Sequence, residues 1–148
     1  HVVRSRFEDW LGHLEERLAR TDAAMTREDV ADLVAASLVE RPELTRVLGP
    51  LHTALELHED GMEVHRFYHW QRSRLLEIAA LIARRVDGVH EWDGFDALYK
   101  SHLVAAAVHP VSRPVGNLAV DLMNEDHQVF ALDLEDEVRR IVLDCLRD

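Results

Sequence analysis

The sequence predicts an all-α fold, a bundle of six or seven helices forming one domain over residues 1–148. Three observations carry this. Apolar residues recur at helical spacing along most of the chain. The nearest strand signal, Gln128 to Leu132, is too short to compete. A hydrophobic content of 47% in 148 residues is enough for one buried core.

The first stripe is Phe7, Trp10, Leu11, Leu14 and Leu18, at positions i, i+3, i+4, i+7 and i+11. A loop at Thr21-Asp22-Ala23-Ala24-Met25 separates it from a second helix. That helix opens with Thr26 and Asp29 in capping-box spacing, although Asp is shorter than the usual Glu, and runs through Val30, Leu33, Val34, Ser37 and Leu38. Pro42 suits the first turn of a third helix, with Leu44, Val47, Leu48, Leu51 and Leu55 inward. Gly49-Pro50 predicts a kink or break there, because a mid-helix proline removes a hydrogen bond and crowds the preceding turn. Asp60-Gly61 is expected to end it.

A long helix follows from about Glu63 to Val86, stopped by Asp87-Gly88. The next is expected from about Phe95 to His109, ended by Pro110, with a short helix between Pro114 and Met123. Leu134 to Leu146 closes the chain.

Composition limits function. Acidic residues outnumber basic ones 28 to 17, a formal charge of −11, which repels phosphate and argues against this segment gripping DNA or a charged membrane surface. One cysteine, Cys145, excludes an internal disulfide and is expected as a buried structural thiol beside Val138, Ile141 and Val142. No apolar run approaches the roughly 20 residues needed to span a bilayer and no signal-peptide pattern opens the chain, so a cytoplasmic location is expected. The start at His1 suggests that a segment precedes it. Arginine so far outnumbering the single lysine, Lys100, suggests a high-GC bacterial source.

Catalytic motifs are missing. There is no Gly-x-Gly pair, no Gly-x-Ser-x-Gly elbow, no His-Glu-x-x-His and no Glu-x-x-His of the di-iron bundles. The reading is therefore of a non-enzyme without a cofactor.

Polar residues sit where apolar ones belong. Phe95, Leu98, Tyr99, His102, Ala106 and His109 share one helical face. Burying such a group costs about 1–3 kcal/mol unless something bonds to it. A neighbouring carbonyl or water could satisfy each histidine; a cavity could bring them to a ligand; a metal is the third reading. Gln71 interrupts the inward arc Val64, Phe67, Tyr68, Gln71, Leu75, Ile78, Ile82 and Val86, either capping a loop or pointing into a pocket. His65 and His69 fall on the opposite, solvated side. His52 and Glu56, one turn apart, form a low-weight alternative metal site with His102.

Two helices carry a second apolar face. Ala97, Ser101, Val104 and Val108, with Lys100 and Ala107, back the histidine face, while Leu143 and Leu146 turn away from the main stripe of the last helix. Burial on both faces predicts a homodimer in which Ala97, Ser101, Val104, Val108, Leu143 and Leu146 meet their symmetry mates.

The order of elements resembles the C-terminal domain of TetR-family regulators. Phe7-Glu8-Asp9-Trp10-Leu11 with Leu14-Glu15-Glu16-Arg17-Leu18 looks like the helix after the DNA-binding domain in one branch of that family. Glu40-Arg41-Pro42-Glu43-Leu44, Leu51-His52-Thr53-Ala54-Leu55-Glu56 and the closing Asp133-Leu134-Glu135-Asp136-Glu137-Val138-Arg139-Arg140 look like its further signatures. The resemblance implies a homodimeric repressor domain that binds a largely apolar small-molecule effector. Matched to this sequence, the pocket draws on His52, Leu55, Tyr68, Gln71, Leu75, Tyr99, His102 and Ala106. No basic helix-turn-helix precedes Arg4, so operator DNA is expected to be held by another part of the protein. The Gly49-Pro50 break departs from the branch's pattern.

Overall fold

Residues 2–20 and 23–147 are described by a computed structural model. Among them run seven α-helices and no strand: α1 (Val2–Ala19), α2 (Arg27–Val39), α3 (Pro42–Leu57), α4 (Gly61–Arg85), α5 (Glu91–Ser112), α6 (Gly116–Asp121) and α7 (Leu134–Leu146). A 3-10 helix at Glu125–Phe130 takes the place of the weak strand signal.

The first stripe does what its spacing implies: Phe7, Trp10, Leu11, Leu14 and Leu18 are all buried. Thr26 and Asp29 form a reciprocal capping box, so the shorter carboxylate reaches the Thr26 N–H at 3.0 Å. Of the loop before it, Thr21 and Asp22 lie outside the described residues.

Three boundaries differ from expectation. Asp60 does not end α3; it caps α4, its side chain accepting from the Met62 and Glu63 N–H groups. Helix α3 continues through Pro50 and α5 through Pro110 to Ser112. A helix survives an interior proline when tertiary packing outweighs one lost hydrogen bond, and Leu48, Leu51 and Val108 supply buried contacts around these two. The α5 start also moves four residues upstream, because His90 and Asp93 cap it: the Trp92 N–H donates to His90 Nδ1 and the His90 N–H to Asp93.

Helix α5 is the axis of the bundle, with α3 and α4 on one side and α7, itself braced by α2, on the other. Helices α4 and α5 come close at Gly94, where a Cβ would stand 3.1 Å from the Ala79 carbonyl oxygen. Arg139 pairs with Asp32 at 2.7 Å, and the Arg27 side chain donates to the Leu146 carbonyl, pinning α7 to α2. Between α1 and α4, the largely buried Arg74 guanidinium binds Glu8, Glu15 and Glu77 together.

Residues 113–133 leave the bundle as an arm. Its neck is tied where the Leu134 N–H donates to Ser112 Oγ at 3.3 Å, and none of its residues is buried. Val115, Val120, Met123, Val129 and Phe130 are each at least 65% exposed, leaving an apolar surface that the protomer does not cover.

Candidate functional site

Helix periodicity turns His102 inward on α5 and Gln71 inward on α4, and both are enclosed. Neither His102 ring nitrogen reaches a hydrogen-bond partner, nor does Gln71 Nε2. Unpartnered buried polar atoms are uncommon enough in folded proteins to require a reason.

Aromatic rings wall His102. Phe7 of α1 meets it edge-on with centroids 5.2 Å apart, Tyr99 does the same at 5.2 Å, and His52 of α3 stacks at 6.4 Å. Phe7 also touches Trp10 and Trp70, and Trp70 touches Phe67, so α1, α3, α4 and α5 converge there. Burial pushes the His102 pKa down to about 4; the Leu98 and Tyr99 backbone, near the ring but outside hydrogen-bond geometry, pulls the other way, and His52 adds to the fall. At neutral pH the imidazole is uncharged, with one N–H to donate and one nitrogen to accept.

The expected pocket residues are only partly assembled. His52, Tyr99 and His102 meet through their rings. Leu75 and Gln71 are core residues, whereas Tyr68 is 41% exposed, in the first part of α4, where Phe67 alone is buried. Leu55 lines a separate small cleft with Arg4, Val64 and Phe67. Ala106 lines another between α3 and α5, where His109 Nδ1 lies 2.9 Å from Thr45 Oγ1. His109 is thus met by a side-chain hydroxyl, whereas no protein group within hydrogen-bond geometry meets the His102 ring.

The alternative metal set is not brought together. Glu56 points to solvent while His102 is enclosed, and no group of three or more His, Cys, Asp or Glu among the described residues is placed to hold a metal. His65 and His69 are exposed, as expected.

Of the expected dimer residues, Ala97, Ser101, Val108 and Leu146 are already buried inside one protomer. The physical reason is that α7 covers the back of α5, so the second apolar face is satisfied within the chain. Val104 and Leu143 stay half-buried, beside half-buried Val111, Ile141 and Cys145 and exposed Ala107. Cys145 is thus not fully enclosed, and partial burial raises its thiol pKa.

Sequence alone marks Phe7 and Trp10 as core positions and carries no signal at Trp70. Nothing local marks them as walls of a site, since a ring on a core stripe looks the same in either role.

Among the described residues, seven helices in this order, with α5 packed against α3, α4 and α7, make an all-α domain. The family model for the tetracyclin repressor-like C-terminal domain matches residues 4–147, and the chain belongs to that family. No curated protein matches the sequence. No helix among the described residues is long and apolar enough to cross a membrane.

Proposed function

We propose that this chain is the effector-binding and dimerisation domain of a TetR-like transcriptional repressor, with operator DNA held by a helix-turn-helix domain outside these residues. The observation that carries the reading is His102, whose ring nitrogens have no hydrogen-bond partner inside a wall of Phe7, Tyr99 and His52 rings, with Gln71 Nε2 likewise unpartnered in the core. Their donors and acceptor are desolvated already, so a ligand that reaches them recovers hydrogen bonds at little further cost. The walls fit a neutral, largely apolar effector with a few polar atoms. Effector entry requires a wall ring to move aside, and where that ring is Phe7 the movement bears on α1.

Dimerisation uses the outer faces of α5 and α7 around Val104, Ala107, Ile141 and Leu143, with isologous contacts.

Native mass spectrometry of the purified protein, wild type and His102→Leu, tests the core site. The expected result is a dimer carrying a small organic adduct that the variant loses while remaining dimeric. Equal adduct occupancy in both proteins would remove His102 from the site, and bound zinc or nickel would replace the effector reading with a metal sensor.

A further inference from the structure

A cleft of about 470 Å³ opens between α3 and α5, at the level of their two interior prolines. Its size lies within the range of small-molecule sites. Its charge is unlike that of the rest of the molecule. Three other clefts each include carboxylates, such as Asp9, Asp29 and Glu63. This one is lined by Arg46, Arg113, His109 and Thr45 and by no acidic residue, in a chain of net charge −11. Arg46 has only a long ion pair to Glu43, at 3.6 Å, and Arg113 makes none among the described residues. Burial, and after it the Arg113 and Arg46 charges, hold the His109 pKa below its ordinary value.

We propose that this cleft is a second small-molecule site, separate from the His102 core, that takes an organic carboxylate with a compact apolar body. Arg46 and Arg113 face the carboxylate, each able to offer paired N–H donors. Pro50, Pro110, Ala106 and Leu118 face the apolar part.

The prolines argue against a bare inorganic oxyanion. Each lacks an N–H, so the Arg46 carbonyl in α3 and the Ala106 carbonyl in α5 lose their helical donors. The Ala106 oxygen faces Gly49, where even a Cβ would stand 4.0 Å away. The Ala106 oxygen, on the wall that Ala106 and Gly49 share in a cleft lined by two cations, suits a ligand that is anionic at one end only. A sulfate filling the cleft would meet lone pairs.

Carbon-detected titration of the Ala106 methyl and the His109 ring by NMR tests this, using sodium benzoate and sodium hexanoate as probes. Benzyl alcohol and sodium sulfate are the controls. At least one carboxylate should give saturable shifts, and the double variant Arg46→Gln, Arg113→Gln should raise its Kd about tenfold or more, each lost charge-assisted contact contributing. His102→Leu should leave that Kd unchanged, which separates this cleft from the core site. Absence of saturable shifts, equal affinity in the double variant, or saturation by sulfate or benzyl alcohol at the same concentrations would overturn the proposal. So would loss of carboxylate binding in His102→Leu.

Discussion

Trp10 Nε1 donates to Ser37 Oγ at 2.8 Å, and Ser37 Oγ in turn donates to the Val34 carbonyl at 2.6 Å. A serine on the apolar stripe of α2 is thereby the means by which α1 seats its largest ring. Both side chains are almost fully buried. Ser37→Ala would strand the indole N–H without water or partner, so a loss of about 1–3 kcal/mol is expected in urea unfolding. Trp10→Phe in the same background should recover part of it, because the orphaned donor is gone. A Ser37→Ala protein as stable as wild type would sink the argument.

Gly94 reverses the ordinary rule for helix glycines. Alanine in a helix interior is favoured over glycine by about 0.5–1 kcal/mol. Here its Cβ would meet the oxygen, Cα and Cβ of Ala79 at 3.1–3.2 Å. Those are main-chain atoms or a methyl fixed to them, and moving them means separating α4 from α5. Gly94→Ala is therefore expected to destabilise by about 1–3 kcal/mol. Thermal unfolding measures it, and a raised Tm would show that the helices part cheaply.

His102 sets a pH dependence. Its pKa in the folded chain, about 4, lies below the ordinary 6.5, so between these values the unfolded chain binds more protons than the native one. Stability should accordingly fall as pH drops through this window, by an amount approaching about 3 kcal/mol below pH 4. His102→Leu removes that part of the slope. At pH 7 in the absence of ligand the same substitution should cost little or even stabilise, because the unpartnered nitrogens disappear with it. Parallel unfolding curves of the two proteins from pH 7 to pH 4 would contradict this assignment.

Val104→Glu, or the more exposed Ala107→Glu, places a carboxylate on the outer face of α5. Sedimentation equilibrium should show the mass fall from dimer to monomer with helix content unchanged. A dimer that persists in both would move the interface elsewhere, with the exposed arm around Phe130 as the next surface to test.

Most of the fold could be read from apolar spacing, because the residues at Phe7, Leu14, Val30, Leu75 and Val138 alternate with charge at helical periods and bury as that pattern demands. What differs is local: Pro50 predicts a kink or break and Pro110 an ending, yet packing on both sides carries each helix past its proline. The site was less legible. His102 and Gln71 stood out by their polarity on apolar stripes, but only the fold shows that His109 finds Thr45 while His102 finds nothing. The back of α5 looked like a dimer surface because a sequence does not reveal whether a second apolar face meets another chain or α7. Arg46 and Arg113, far apart in the chain, carried no motif that would have joined them.

The grip of Arg74 on Glu8 and Glu15 has a mechanical consequence. Those carboxylates stand seven residues apart, about 10 Å along α1, and one guanidinium on α4 ties both. A single tether would let α1 swivel; two attachment points along its length resist rolling and sliding together. Helix α1 therefore travels with the middle of α4 as a strut, and whatever tilts α4 swings the far end of α1, at Val2, through the largest arc.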